Sequence, residues 1–284
     1  MLVEETLWRT GDGLRLHVRH AQPREPAADP RSMLIIHGGC EHGGRYAHVV
    51  EKLVAAGWTV TLPDLRGHGM SEGERTDVAD VSQYLQDLTG VERAYCARGQ
   101  ADVILAHSFG GLVALRYVQT IRQPRALVLS APLLGLQLPV PWWKDLAGKL
   151  LVRLSPTTRF RTGINPRNMT QDPEFLARRL ADPLLIRSVT VRWFFAMRRA
   201  LADVHRDAAL VRCPLLIVQG LADQTVAPRC PGPFLERTGS PFRRLIELPG
   251  HVHEALNESD WEQTLATILA WLESPEITPS ADRR

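Results

Sequence analysis

The sequence lacks any apolar run long enough to cross a membrane. Of its 284 residues, 44% are hydrophobic, yet no stretch of about 18 consecutive apolar residues occurs. The first eight residues, Met-Leu-Val-Glu-Glu-Thr-Leu-Trp, also lack the basic region and apolar stretch of a secretory signal peptide. We therefore expect a cytoplasmic protein with enough apolar residues for a large core.

Cysteine is sparse, and its spacing fits no common metal motif. The four cysteines, Cys40, Cys96, Cys213 and Cys230, form no C-x-x-C pair, and in a cytoplasmic chain we expect free thiols. The sequence also has no Gly-rich phosphate loop, helix-turn-helix or interleaving of basic with aromatic residues. It therefore predicts neither a metal, nor an organic cofactor, nor a nucleic-acid partner.

Short buried-strand patterns alternate with helical patterns along the chain. Strands are predicted near residues 3–9, 14–20, 32–37, 57–62, 101–106, 125–130, 213–219 and 242–248. Helices are predicted near 45–56, 78–97, 109–121, 230–238 and 259–273. This alternation favours an α/β fold with a mostly parallel eight-stranded sheet flanked by helices. The first two strands, joined through Gly11-Asp-Gly13, predict an antiparallel hairpin at its edge.

Residues 131–206 interrupt the alternation. They contain several helical patterns, repeated prolines and no convincing strand. We interpret this segment as an inserted helical cap. Residues 1–130 and 207–284 are then expected to form one discontinuous core domain.

A serine between small residues follows the strand predicted at 101–106. The pentapeptide Ala106-His-Ser108-Phe-Gly110 matches the G-x-S-x-G nucleophile elbow, in which a tight strand-to-helix turn exposes the serine hydroxyl. Ala106 replaces the first glycine, and its one methyl is the smallest possible departure. By itself the pentapeptide also fits an ordinary turn with a capping serine.

An acid and two histidines follow in the order expected of an α/β-hydrolase. Asp223 lies just beyond the strand predicted at 213–219, and both His251 and His253 follow the strand predicted at 242–248. We expect Ser108 and Asp223 to act together with one of these histidines, since either could reach the serine.

A glycine pair after the third strand predicts an oxyanion hole. The predicted strand at 32–37 leads into His37-Gly38-Gly39-Cys40, a loop of the kind that supplies a backbone N–H to a tetrahedral intermediate. We assign the two donors to the amides of Gly39 and Phe109. His37 itself is expected to hydrogen-bond the backbone.

With these residues identified, the chain resembles the monoacylglycerol lipase and lysophospholipase-like branch of the α/β-hydrolases. The matching segments are His37-Gly-Gly-Cys-Glu-His-Gly-Gly-Arg-Tyr46, Pro63-Asp-Leu-Arg-Gly-His-Gly-Met-Ser-Glu72, His107-Ser-Phe-Gly-Gly111, Gly220-Leu-Ala-Asp223 and His253-Glu-Ala-Leu-Asn-Glu258. In that branch a glutamate stands five residues after the catalytic histidine. The resemblance therefore implies His253 rather than His251. Cys40 stands where the branch has glycine or another small residue, and we expect a buried thiol that packs.

The resemblance implies a serine hydrolase of carboxylic esters of lipid-like alcohols, with monoacylglycerol or lysophospholipid as leading substrates. A short-chain carboxylesterase and a serine aminopeptidase-like hydrolase are alternatives. A catalytically silent ligand-binding protein of the same fold is a third, which the complete set of motifs disfavours.

Charge is concentrated in the predicted cap. Residues 131–200 hold 12 Lys or Arg against 4 Asp or Glu, whereas the whole chain has a net charge of only +3. Together with leucines Leu133, Leu136 and Leu138, this suggests a surface for anionic amphiphiles and an apolar lining for the acyl chain. A solvated basic face over packed aliphatic residues is the alternative.

Overall fold

The computed structural model describes residues 1–25, 27, 30–137, 148 and 150–277. Within them the chain forms ten strands, numbered β1 to β10 in chain order: Leu2–Arg9, Arg15–Gln22, Arg31–Ile36, Trp58–Pro63, Val103–His107, Ala126–Ser130, Arg159–Arg161, Ser188–Thr190, Leu215–Gly220 and Arg243–Leu248. The α-helices with both ends described are numbered α1 to α7: Ala47–Ala55, Ser82–Tyr95, Phe109–Thr120, Pro173–Ala181, Val191–Arg206, Pro231–Glu236 and Trp261–Leu272. Residues 150–154 are also helical.

Eight strands form one sheet in the order β1-β2-β4-β3-β5-β6-β9-β10. Every pair from β4 to β10 along this order is parallel, whereas β1 and β2 are antiparallel to their neighbours. The predicted α/β fold, its mostly parallel sheet and its edge hairpin are therefore confirmed. All residues of β4, β5, β6 and β9 are buried, as expected of parallel strands covered on both faces.

Helices cover the sheet on both faces. One apolar cluster joins the sheet to α2, α3 and α5, and a second joins it to α1 and α7. The parallel strands all end at one edge, and the loops at that edge carry the predicted functional residues. A rigid sheet therefore fixes the positions from which those loops begin.

The segment 131–206 contains α4, α5 and a strand pair that the sequence did not predict. Strands β7 and β8 pair antiparallel, with Arg159 opposite Thr190 and Arg161 opposite Ser188. The expectation of a segment without strands was thus wrong. Each strand has only three residues, too few for an alternating pattern to register. Leu138 lies outside the described residues.

None of the helices in the described ranges combines the length and the apolar character needed to span a lipid bilayer.

Candidate active site

Ser108 occupies a strained turn between β5 and α3. Its φ is 51° and its ψ is −116°, and its amide donates to the carbonyl of Ser130 at 3.0 Å. Gly110 makes this turn possible, because a Cβ there would lie 2.3 Å from the carbonyl oxygen of His37. A non-glycine residue in the left-handed region costs roughly 1–3 kcal/mol and persists where surrounding structure enforces it. The serine hydroxyl is thereby held at the carboxyl edge of the sheet.

The alanine in place of the first motif glycine is accommodated without distortion. Ala106 is fully buried in β5, where it pairs with Ile36 of β3 and Leu129 of β6. The regular strand register on both sides shows that the extra methyl fits within the sheet.

Ser108, His253 and Asp223 form a continuous hydrogen-bonded chain. The Nε2 atom of His253 lies 2.9 Å from the Oγ atom of Ser108, and its Nδ1 atom lies 2.7 Å from Oδ2 of Asp223. Because an ionised carboxylate only accepts hydrogen bonds, Nδ1 carries the proton in a neutral His253. Its Nε2 is then free to accept the serine proton, which is the arrangement required of a general base.

The Asp223 carboxylate is held by more than the histidine. Its Oδ1 atom accepts from the amides of Thr225 at 2.7 Å and Val226 at 3.0 Å, and Oδ2 also accepts from Nε2 of Gln219 at 3.2 Å. Burial alone would raise the pKa of Asp223, but the hydrogen bond and charge of His253 and these amides hold the pKa below its usual range. The carboxylate is therefore anionic at neutral pH, and sequence reasoning missed the contribution of Gln219.

The structure brings His253, and not His251, to the serine. His251 points to Asp260 instead, with 3.1 Å between Nε2 and Oδ2. Of the two histidines that the spacing left open, the one that the family pattern implies is the one that lies beside Ser108.

Gly39 and Phe109, the residues whose amides the sequence assigned to the oxyanion hole, approach each other closely. A Cβ on Gly39 would lie 3.1 Å from Cβ of Phe109. Neither amide donates a hydrogen bond to any residue that the structure describes. Two neighbouring unpaired N–H groups, one of them at the start of α3, are suited to receive developing negative charge.

The loop turns through Cys40 rather than through its glycines. Cys40 has a φ of 63°, the left-handed region that favours glycine, which explains why glycine is expected there. Gly38 and Gly39 are required for a different reason, because neighbouring side chains approach their Cα atoms closely. A Cβ on Gly38 would lie 2.8 Å from Oε1 of Glu41. Burial raises the pKa of the Cys40 thiol to about 12, so the thiol packs in neutral form.

Two further histidines near the site are buried and neutral. His37 hydrogen-bonds the backbone, as expected, with Nδ1 donating to the carbonyl of Gly38 at 2.7 Å and Nε2 accepting from the amide of Leu65 at 2.9 Å. The ring of His107 lies 4.8 Å from that of His253. Burial, assisted by repulsion from His253, lowers the pKa of His107 to about 4. A second positive charge beside His253 is thereby avoided.

A buried network of four charges lies next to the site. Glu41 accepts from the amide of Gly38 at 2.6 Å and from Arg45 at 2.9 Å, and Arg45 also pairs with Glu254. Arg179, from α4, pairs with Glu254 on its other side. The first three residues lie within the motifs noted in the sequence, but only the fold reveals Arg179 as their partner.

The segment after Ser130 passes close to the serine. The amide of Leu133 donates to the Ser108 carbonyl at 2.9 Å, and the Leu133 side chain is buried. Leu136 pairs with Val226 in an isolated bridge beside the acid loop. In the described residues no group of three or more His, Cys, Asp or Glu side chains is arranged to hold a metal ion.

Residues 28–260 match the family described as "Serine aminopeptidase, S33". A monoacylglycerol lipase of Mycolicibacterium smegmatis is 31% identical over 265 residues, which cover 88% of this chain and 90% of that protein. The phospholipase YtpA of Bacillus subtilis is 28% identical, over 84% of this chain and 93% of its own length.

Solved structures show the same fold. The monoacylglycerol lipase of Paleococcus ferrophilus has a TM-score of 0.79 at 24% identity, covering 96% of this chain and 98% of that one. A soluble variant of the monoglyceride lipase of Saccharomyces cerevisiae, in complex with a substrate analog, has a TM-score of 0.84 at 21% identity, covering 96% of both chains.

Proposed function

The chain belongs to the serine aminopeptidase S33 family of α/β-hydrolases and is a serine ester hydrolase. From this premise we propose that it cleaves esters of lipid-like alcohols through an acyl-enzyme on Ser108. The observation that carries this proposal is the unbroken chain from Asp223 through His253 to Ser108, beside two unpaired amides. Monoacylglycerols and lysophospholipids are the leading substrates, supported by the lipase and phospholipase names of the relatives.

In the first half-reaction, Oγ of Ser108 attacks the ester carbonyl carbon while Nε2 of His253 takes the hydroxyl proton. Asp223 stabilises the resulting imidazolium, and the amides of Gly39 and Phe109 bind the oxyanion. When the bond to the alkoxy oxygen breaks, His253 returns the proton to the leaving alcohol. Water then attacks the acyl carbon and gives one proton to the same nitrogen. As the bond between the acyl carbon and Oγ of Ser108 breaks, His253 passes that proton to Oγ, and the carboxylic acid leaves. None of these steps uses a metal or cofactor.

We propose that residues 1–130 and 207–284 form the core domain and that the inserted segment 131–206 is a cap over it. We assign substrate selection to this cap. Leu133 lies against the Ser108 turn and Leu136 beside the acid loop. We assign the acyl lining to these two leucines and, from the sequence alone, to Leu138. Each buried methylene contributes roughly 0.8 kcal/mol, so a lined pocket favours long acyl chains until it is full.

The outer face of the cap fits an anionic lipid surface, at which a cytoplasmic enzyme would meet its substrate. Leu150 and Leu154 are one helical turn apart, exposed by 59% and 74%, beside the exposed Arg153. Phe160, also in the segment 131–206, is 39% exposed. Exposed apolar side chains next to arginines combine insertion with attraction to acidic headgroups.

The catalytic proposal is tested with p-nitrophenyl esters from acetyl to palmitoyl, a monoacylglycerol, a lysophospholipid and an aminoacyl p-nitroanilide. We expect ester turnover that rises with chain length, labelling by a fluorophosphonate, and loss of both in Ser108→Ala. Polar replacement of Leu136 should reduce turnover of long-chain esters more than of acetate. Preference for the anilide would favour an aminopeptidase. Turnover that does not depend on chain length, with the acetyl ester preferred, would favour a general esterase. Absence of both turnover and labelling would favour a silent binding protein.

The membrane proposal is tested by flotation with vesicles of phosphatidylcholine, with and without phosphatidylglycerol. Binding should require the anionic lipid, weaken between 0.1 and 0.5 M salt, and fall in Leu154→Ser. Leu7→Ser, at a leucine 55% exposed on strand β1, is the matched control and should bind normally. Equal binding by both variants, or by neutral vesicles, would reject the cap as the docking face.

A further inference from the structure

We propose that Trp193, a residue of the cap, holds both oxyanion-hole amides in position, so that the chemical step requires a docked cap. Trp193 is then a positioning residue, acting through Gly39 and Phe109 rather than on the substrate. The inference rests on the proposed function of that site and adds a role for the cap that is separate from substrate selection.

The indole of Trp193 packs on one residue of the proposed oxyanion hole and closes the space beside the other. Its ring centroid lies 4.7 Å from that of Phe109. On the other side, a Cβ on Gly39 would lie 3.5 Å from Cη2 of the indole, which is van der Waals distance. One cap side chain therefore packs on Phe109 and leaves no free space on the Cβ side of Gly39, and Trp193 is only 6% exposed.

Tyr84 fixes the orientation of the indole through a hydrogen bond. The Nε1 atom of Trp193 donates to the Tyr84 hydroxyl at 2.9 Å, and Tyr84 is fully buried in α2. The Tyr84 ring also packs edge-on against Phe109, with 5.6 Å between centroids. Phe109 is thus enclosed by two aromatic rings that are hydrogen-bonded to each other. A buried indole N–H needs a partner, so the indole cannot rotate away without losing one.

The helix that carries Trp193 is itself tied to the core at its first turn. The Thr190 side chain caps α5 by accepting from the Trp193 amide at 3.1 Å, and lies 2.8 Å from Oδ1 of Asp77. Arg192 pairs with the same carboxylate. A few residues earlier, the amide of Ile186 donates to the carbonyl of Cys40 at 3.0 Å. The cap therefore reaches the oxyanion loop through its backbone as well as through the indole.

The consequence is chemical, because an oxyanion hole works only with its donors at fixed positions. Functional groups must be held within about 0.5 Å of the productive geometry, and loss of one donor costs about 10²–10³ in kcat. Without the indole, Phe109 loses a ring that it packs on, and space opens beside Gly39 into which the loop can shift. We expect kcat for p-nitrophenyl acetate to fall about 10- to 100-fold in Trp193→Leu, while KM changes less than about 3-fold.

The experiment compares Trp193→Leu with Phe194→Leu, its neighbour on α5, which packs instead against Phe160 and Phe195. Phe194→Leu should keep the wild-type kcat for the acetyl ester. Tyr84→Phe keeps the ring and removes only the acceptor of the indole N–H, and should lower kcat about 2- to 10-fold. It also provides the test if Trp193→Leu fails to fold. Near-ultraviolet circular dichroism and fluorophosphonate titration establish that equal amounts of folded protein with a reactive serine are compared.

A selective fall in kcat for Trp193→Leu and Tyr84→Phe, with unchanged KM, supports the proposal. Wild-type kcat in both Trp193→Leu and Tyr84→Phe overturns it. So does an effect confined to KM, or a fall in kcat that is equally large in Phe194→Leu. Failure of the proposed function looks different, since wild-type protein itself would then show no turnover of the acetyl ester above that of Ser108→Ala.

Discussion

Arg179, in helix α4, is paired with Glu254, the residue that directly follows His253. Arg45 contacts the same carboxylate from the core, and also reaches Glu41, next to the loop at residues 38–40. Burial alone would raise the pKa of Glu254, but Arg45 and Arg179 hold the pKa below its usual range. The inserted segment therefore contributes one of the charges that keep this carboxylate ionised beside the histidine.

Removing Arg179 should destabilise the protein strongly. Truncating one partner of a buried ion pair typically costs about 3–5 kcal/mol, and we expect about 3 kcal/mol for Arg179→Leu because Arg45 remains with Glu254. The neighbouring Arg178 is largely exposed, and among the described residues it pairs with exposed Glu174 and the ring of Phe175. Arg178→Leu should therefore change the free energy of unfolding by less than about 0.5 kcal/mol. Urea unfolding of both variants measures the difference, and equal values would show that the buried pair is not stabilising.

The two histidines after β10 should differ sharply in their effect on turnover. His253→Ala removes the imidazole that is hydrogen-bonded to Ser108, and should lower kcat/KM by three orders of magnitude or more. His251→Ala removes a contact with exposed Asp260 and should stay within about 3-fold of wild type. Activity of the wild type should fall on acidification, because a protonated imidazole cannot accept the serine proton. A larger loss in His251→Ala would contradict the assignment.

The sequence predicts the fold and the proximity of the candidate site residues better than it predicts the contacts made by residues 131–206. Ser108, Asp223 and His253 each follow a buried-strand pattern, and the carboxyl ends of parallel strands meet at one edge. Their proximity therefore follows from local patterns plus one rule of topology. The edge hairpin was predicted from its glycine turn, whereas the order of the strands in the sheet is seen only in the structure.

The contacts that Trp193 makes depend on tertiary packing that no local sequence pattern encodes. Trp193 meets Gly39 and Phe109 across more than 80 positions of sequence, and its spacing on α5 distinguishes it little from an ordinary core residue. The left-handed φ of Cys40 was hidden for a different reason, because cysteine carries no turn signal of its own. Only the departure from the family pattern marked that position.

Three of the four thiols should resist alkylation in the folded protein. Burial raises the pKa of Cys40, Cys96 and Cys213 to about 12 each, so their thiolate fractions at pH 8 are very small. Cys230 is only partly buried. Iodoacetamide at pH 8 should modify at most one site in native protein and four in urea, as counted by mass spectrometry. Rapid modification of Cys40 in the native state would contradict its buried, packing role.

Acid should destabilise the protein through His68, which is buried beside His37. Its Nδ1 donates to the carbonyl of Arg66 at 3.0 Å, and its Nε2 has no hydrogen-bond partner among the described residues. Burial, with a smaller contribution from His37, lowers the pKa of His68 to about 3. The unfolded chain takes up this proton near the reference value of about 6.5. Between these two values the unfolded state binds more protons, so stability falls as the pH falls.

The contribution of His68 can be isolated by the difference between wild type and His68→Asn, since Asn retains a donor toward the Arg66 carbonyl. At pH 7.5 the variant should be less stable because it fills less of the buried space. On going to pH 5.0 the wild type alone loses about 2 kcal/mol from this histidine, given by 1.36 kcal/mol for each pH unit below the unfolded value. Carboxyl groups that titrate in the same range are common to both proteins and cancel in the comparison. Urea unfolding at the two pH values should therefore show the stability gap narrowing by about 2 kcal/mol, and a gap independent of pH would mean that His68 is not held neutral by the fold.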